Sequence, residues 1–369
     1  MTVKLRVLLL VPYCGGSHRA WAEGYAAHSR HEVTPLSLPA RFWKWRMQGG
    51  AVTLAEQARK LDGEPDLILA TDMLNLPAFL ALTRDFLAHV PTALYCHENQ
   101  LTYPFPPGET RDLTYGMINW LSMLVADRVF FNSEYHLTDW FQALPNMLKH
   151  FPDYNHLDRV DEVRGKASVL PVGCDLRRLD DVPRPERMNE PPIILWNQRW
   201  EYDKNPEVFF RALYALVEAG VEFRVVIAGR SHRQSAPAFE EARERLGERV
   251  VHFGYAEEGA YERLLGQADI VVSTAIHEFF GVAIVEAVYA GCFPVLPDRL
   301  AYPELIPEAL HQRCLYEGFD ELVGRLRWAL ARPPALERAR DRLRVVIKAF
   351  DWRYASSEYD EELERVYVQ

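Results

Sequence analysis

The chain has 369 residues, room for two domains of about 180 residues each, and its 49% hydrophobic and 25% charged residues suit a globular enzyme. A net charge of −10 argues against a general nucleic-acid coat, although a few well-placed cations suffice for a local phosphate-binding face. The five scattered cysteines (Cys14, Cys96, Cys174, Cys292, Cys314) show no metal or CxxC spacing, which points to buried thiols in a reduced, cytoplasmic compartment, and no apolar run reaches the roughly 18–20 residues of a membrane span.

The run Val7–Val11 ends at Pro12 without a small-residue cleavage site, so a buried first strand, Leu5–Val11, is expected rather than a signal peptide. Tyr13-Cys14-Gly15-Gly16-Ser17-His18 follows. It lacks the GxGxxG spacing of a dinucleotide site; it suits either a cradle for a phosphate or sugar hydroxyl or a plain glycine turn. After a strand at Glu32–Leu36 comes Arg41-Phe42-Trp43-Lys44-Trp45-Arg46. Cations for phosphates and indoles for bases are the elements of unpaired-RNA recognition. The same alternation also fits an edge strand with one aromatic face.

Further strands are expected at Leu67–Ala70 and Thr92–Tyr95, and the second runs into His97-Glu98-Asn99-Gln100. Four polar side chains at the end of an apolar strand form a candidate site. A helix at Arg111–Ala126 should gather Tyr115, Trp120, Leu121, Leu124 and Val125 on one face, and strands follow at Val129–Phe131 and Ser168–Val172. Asp180–Pro192 holds four prolines among mostly charged residues and reads as a linker. A second alternation then runs through strands Ile193–Trp196, Phe223–Ala228, Val250–Phe253, Ile270–Ser273, Phe293–Leu296 and Leu315–Tyr316.

Continuous apolar strands alternating with helices imply parallel sheets covered on both faces, a doubly wound α/β fold built twice. The expected division is 1–179, a linker 180–191, a second domain 192–345, and a C-terminal helix 346–369 that returns to the first domain by analogy with two-domain transferases.

Ligands in such folds bind beyond the carboxyl ends of the strands. Asn197-Gln198-Arg199-Trp200-Glu201-Tyr202-Asp203-Lys204-Asn205-Pro206 leaves the first strand of the second domain there. Arg199 and Lys204 can neutralise a diphosphate, or be two solvated loop cations; on a loop, either should be replaceable without loss of the fold. His277-Glu278-Phe279-Phe280-Gly281-Val282-Ala283-Ile284-Val285-Glu286 follows the strand Ile270–Ser273. Its glutamates lie about two turns apart at a helix start, where free N–H groups near Phe280, Gly281 and Val282 can receive an anion. Two unrelated surface glutamates are the alternative. Asp-x-Asp, HExxH and P-loop motifs are absent from the sequence, so no metal and no cofactor are expected.

Glu278-x7-Glu286 with Arg199 and Lys204 resembles the large retaining GT-B glycosyltransferase family. The strings LPARFWKWRM, MLNLPAFLAL, HENQLTYPF, RDLTYG, FNSEYH, NQRWEYDKNPE and HEFFGVAIVEAVYAGCFPVLP resemble the tRNA-queuosine α-mannosyltransferases within it. That resemblance implies two Rossmann-like domains facing a central cleft, GDP-mannose as donor, and the cyclopentene diol of queuosine in the anticodon loop of tRNA-Asp as acceptor. It also implies retention of the α-anomer. Arg199 and Lys204 would hold the diphosphate, Glu286 the ribose and Glu278 the transferring sugar, with His97 approaching that sugar; Gln198 stands where close relatives are expected to carry histidine. On this reading the acceptor meets Gly15, Gly16, Ser17, His18, Glu98, Asn99 and the Arg41–Arg46 segment. Competing readings are a lipid or polysaccharide acceptor, a nucleotide-sugar 2-epimerase, and a non-catalytic nucleotide-sugar-binding module. No basic amphipathic helix that would support a membrane acceptor is evident.

Overall fold

A computed structural model describes residues 4–104, 110–185, 190–229, 237–332 and 334–368. Phe105 of the HENQLTYPF string and residues 186–189 of the proline-rich stretch lie outside the described residues. The chain forms two units, Met1–Asp175 with Trp352–Gln369, and Leu176–Asp351.

The first unit carries β1 (Arg6–Cys14), β2 (Glu32–Pro39), β3 (Leu67–Thr71), β4 (Thr92–Cys96), β5 (Arg128–Phe131) and β6 (Ala167–Val169). They form one parallel sheet in the order β2-β1-β3-β4-β5-β6. Strands β3 and β4 are buried at every position, which is why they read as unbroken apolar runs rather than alternating ones. The chain leaves β1 toward one edge and returns on its other side, so a topological switch point lies between β1 and β3.

The second unit repeats the plan with β7 (Ile193–Trp196), β8 (Arg224–Ala228), β9 (Val250–Gly254), β10 (Ile270–Val272), β11 (Phe293–Pro297) and β12 (Leu315–Tyr316). Their order is β12-β11-β10-β7-β8-β9, which places the switch point between β7 and β10. The sequence thus marks every strand to within a few residues, but not which strands are neighbours.

Three expectations are corrected. The stretch from Asp180 is already part of the second unit, where Tyr289 donates to Asp180 at 2.6 Å and Val182 packs at Gly266. On the helix Leu113–Val125, Tyr115, Ile118, Trp120 and Met123 face the core while Leu121 and Val125 are exposed. Arg41–Arg46 is not a strand: Phe42 takes a left-handed conformation, φ 51°, and the helix Trp43–Ala58 starts at the next residue.

The last helix, Trp352–Val368, packs in the first unit. Asp360 accepts hydrogen bonds from Tyr25 Oη, Ser29 Oγ and the Arg30 amide at 2.9, 2.5 and 2.9 Å. The Trp352 indole lies so close over Gly24 and Gly173 that a Cβ at either would sit 2.0 or 2.5 Å from it. Only glycine admits that approach.

Candidate active site

In the second unit the two sequence motifs meet at the switch point. Tyr202–Lys204 forms one 3-10 turn, ended by Asn205 at φ 49°, and the helix Pro206–Glu218 begins at Pro206, as the fixed φ of proline favours. Two hydrogen bonds join this turn to the segment after β10: Thr274 Oγ1 donates to the Lys204 carbonyl and the Ile276 amide to the Asp203 carbonyl, both at 2.8 Å. Glu278 is thereby set beside Lys204.

The Lys204 ammonium donates to the His277 carbonyl at 2.8 Å and lies 3.0 Å from Asp203 Oδ2 and 3.3 Å from Glu278 Oε2. Burial works against its charge, but Glu278 and Asp203 outweigh that and raise its pKa. Burial also opposes ionisation of Glu278, and there Lys204 wins, holding the carboxyl below its ordinary value. Both groups are therefore charged near neutral pH. Lys204 is only 6% exposed, which corrects the expectation of a dispensable loop cation. Arg199 fits that expectation better: its side chain is 47% exposed and lies 3.3 Å from Glu201 and 4.0 Å from the same Asp203 oxygen.

The helix expected near Phe280 starts at Val282, capped by Gly281 at φ 97°, a conformation that favours glycine. Phe280 is buried against Phe350, ring centroids 5.1 Å apart, so its side chain is part of the core. Its amide donates to Glu278 Oε1 at 3.4 Å. The first-turn amides at Val282 and Ala283 have no intrahelical acceptor and can receive an anion.

Glu278 is not on the helix with Glu286, and the two have separate partners. Arg178 and Tyr261 Oη donate to the two oxygens of Glu286, Tyr261 at 3.1 Å. Asn197, at the end of β7, donates to Tyr261 Oη at 2.9 Å and to the Ala283 carbonyl at 2.8 Å. Burial raises the Glu286 pKa, against the pull of Arg178 and Tyr261. Sequence reasoning missed Arg178, Asn197, Asp203 and Tyr261. Asn197 and Asp203 lay inside a motif already marked; Arg178 and Tyr261 carry no local signal.

In the first unit, residues after β1, β3 and β4 gather at the other switch point. Gly15 abuts Ala40, where a Cβ would come within 2.5 Å, and Gly16 at φ 54° caps the helix Ser17–His28. Ser17 is exposed, whereas His18 is buried with its ring centroid 4.4 Å from that of His97. Trp21 and Tyr95 also flank His97, at 4.7 and 4.8 Å. Burial, then His18 and His136, push the His97 pKa well below 6.5, so the ring is neutral.

Asp72, which follows β3 and was not anticipated, fixes the His97 loop. Its two carboxylate oxygens accept the amides of His97 and Glu98 at 3.1 and 3.2 Å, and Asn132 Nδ2 donates to the His97 carbonyl at 3.0 Å. Burial, reinforced by Glu98, pushes Asp72 up to about 7. Asn99 is turned inward, contrary to its expected acceptor role: its Nδ2 donates to Asp139 at 2.8 Å and its Oδ1 accepts the Leu101 amide at 2.8 Å.

The Arg41–Arg46 segment divides. Trp43 packs on Tyr115 at 4.8 Å beside Met47, Met73 and Tyr13, with Lys44 Nζ 5.6 Å from the Trp43 ring centroid. Phe42 and Trp45 stay 78% and 61% exposed, and Arg46 Nε donates to the Pro39 carbonyl at 3.2 Å.

Residues 6–174 match the family described as tRNA-queuosine alpha-mannosyltransferase N-terminal, and residues 180–345 match Glycosyl transferases group 1. The tRNA-queuosine alpha-mannosyltransferase of Drosophila melanogaster is 34% identical over 349 residues, 92% of this chain and 90% of that protein. A GDP-mannose-dependent alpha-(1-6)-phosphatidylinositol dimannoside mannosyltransferase of Mycobacterium tuberculosis is 28% identical over 196 residues, 51% of this chain and 50% of that protein. Among solved structures, the catalytic domain of starch synthase IV from Arabidopsis thaliana superposes with a TM-score of 0.75 at 12% identity, covering 100% of both chains. Sucrose-phosphate synthase from Thermosynechococcus elongatus gives 0.72 at 15% identity, covering 99% of this chain and 100% of that one. At those identities the likeness is one of fold.

Proposed function

The chain belongs to the tRNA-queuosine α-mannosyltransferase family, and from that membership we propose that it transfers mannose from GDP-mannose to the cyclopentene diol of queuosine in tRNA-Asp, with retention of the α-anomer. It is a glycosyltransferase of GT-B fold; the donor, the acceptor tRNA and a cytoplasmic location are the proposed part. Among the described residues no helix is long and apolar enough to cross a membrane. The observation that carries the donor reading is the convergence of Arg199 and Lys204 on one oxygen of Asp203, beside Glu278.

In the proposed reaction the bond from the anomeric carbon to the β-phosphate oxygen breaks and a bond to an acceptor hydroxyl oxygen forms. The acceptor proton passes to a phosphate oxygen, leaving GDP and mannosylated tRNA. Negative charge grows on the departing diphosphate, where fixed cations stabilise the transition state more than the ground state. Lys204, Arg199 and the amides at Val282 and Ala283 take that role, Glu286 accepts the ribose hydroxyls, and no metal is called for. The neutral His97 ring would hydrogen-bond the sugar through Nε2, a buried atom with no hydrogen-bond partner among the described residues. Lys204 and the Phe280 amide hold Glu278 in place, and the proposed route is attack on the same face, since a double displacement needs a carboxylate positioned at the anomeric carbon.

The test is incubation with labelled GDP-mannose in excess EDTA, with queuosine-containing tRNA-Asp, with the same tRNA carrying guanine at the wobble position, and without tRNA. Label should move only to the queuosine-containing tRNA. Donor consumption without tRNA would indicate an epimerase instead, and activity restored only by Mg²⁺ or Mn²⁺ would overturn the metal-free reading.

A further inference from the structure

Glu286 does not stand alone. One of its oxygens accepts from Arg178, the other from Tyr261 Oη at 3.1 Å. The other arm of the Arg178 guanidinium donates to Glu262 at 3.0 Å. Arg178 lies in the short turn Arg177–Leu179, Tyr261 and Glu262 on the helix Glu258–Gln267, and Glu286 on the helix Val282–Tyr289. Asn197 at the end of β7 completes the set by holding Tyr261 Oη and the Ala283 carbonyl. Four separate elements therefore fix one carboxylate.

We propose that Arg178 is a positioning residue for nucleotide recognition, holding the Glu286 side chain oriented as an acceptor for the vicinal hydroxyls of the donor ribose. The inference rests on the ribose role assigned to Glu286 above. A carboxylate has about four lone-pair positions, so one donor on each oxygen leaves one position per oxygen for two adjacent hydroxyls. A planar guanidinium can bridge two carboxylates with a fixed fork, which an ammonium cannot do with the same geometry. Without the cation, a buried carboxylate beside Glu262 favours the protonated form, which offers a donor where the ribose needs an acceptor. Arg178 itself has its guanidinium taken up by the two glutamates, and so acts through Glu286.

The test is calorimetric titration of GDP and of 2′,3′-dideoxy-GDP against the whole protein and its Arg178→Gln, Arg178→Lys and Tyr261→Phe variants. The natural protein should prefer GDP by about tenfold or more, because the dideoxy nucleotide leaves the buried Glu286 acceptor positions unsatisfied. Arg178→Gln should abolish that preference by weakening GDP while leaving the dideoxy nucleotide within about threefold, and should raise KM for the nucleotide sugar more than it lowers kcat. Arg178→Lys should retain part of the preference. If Arg178→Gln is poorly folded, Tyr261→Phe, which removes one hydroxyl from the other oxygen, should lower the preference several-fold. A preference unchanged in Arg178→Gln, or in Tyr261→Phe where that variant stands in, overturns the positioning role. A natural protein that binds both nucleotides equally overturns the ribose assignment and this inference with it.

Discussion

Replacing Lys204 with alanine separates a buried, organising cation from a solvated one. Its ammonium holds Asp203, Glu278 and the His277 carbonyl within 2.8–3.3 Å, and its side chain is 7% exposed. Truncation leaves two carboxylates without their common cation. Removing one partner of a buried ion pair costs about 3–5 kcal/mol, and at about 2–4 °C per kcal/mol for a unit of this size the second unit should melt roughly 6–20 °C lower. Arg199→Ala removes pairs at 3.3 and 4.0 Å from a half-exposed side chain and should cost no more than about 1 kcal/mol. Both changes should lower turnover by roughly two to four orders of magnitude if each cation stabilises the departing diphosphate. Scanning calorimetry of both variants beside their turnover numbers gives the comparison. The double change Lys204→Ala/Glu278→Ala should recover part of the lost stability, because it removes one of the two stranded carboxylates. A Lys204→Ala protein that melts within a degree or two of the natural one would refute the argument, whatever its activity.

Asp72, pushed up to about 7 from an ordinary 3.8, is harder to ionise folded than unfolded. Its stabilising contribution is thus complete below about pH 3.8 and is lost as pH rises to about 7. Asp72→Asn should remove that slope, so the stability of the variant relative to the natural protein should climb between pH 5 and 7 and level off above; parallel urea-unfolding profiles would count against it. In the Arg41–Arg46 segment, Trp45→Ala should weaken tRNA binding by about 1–3 kcal/mol if the exposed indole stacks on a base, with GDP-mannose affinity held within about threefold. Lys44→Ala/Arg46→Ala should weaken tRNA binding and lower its salt dependence, by about 0.7 in the log–log slope per lost phosphate contact. Equal loss of donor affinity in these variants would leave the tRNA surface unassigned.

The strands were legible in the sequence because burial on both faces leaves an unbroken apolar run, as in Leu67–Thr71 and Ile193–Trp196. The polar groups that follow β4, β7 and β10 were legible too, since a strand end in a parallel sheet is where polar chemistry is tolerated. A resemblance spread over most of the chain supplied the expectation of a donor and an acceptor, which spacing could not. Tertiary structure alone decided the rest. The order β2-β1-β3 and the order β10-β7-β8 set the switch points, and no local pattern encodes which strands become neighbours. Lys204 and Arg199 look alike on paper, yet one is buried among carboxylates and the other exposed, because the segment after β10 folds over the first and not the second. Trp43 and Trp45 share a motif, but a helix starting at Trp43 points one ring inward against Tyr115 and leaves the other in water. Arg178 meets Glu286 across 108 positions. Local periodicity reports which residues are buried; partners separated by that much chain are chosen only when the sheet closes and its helices pack.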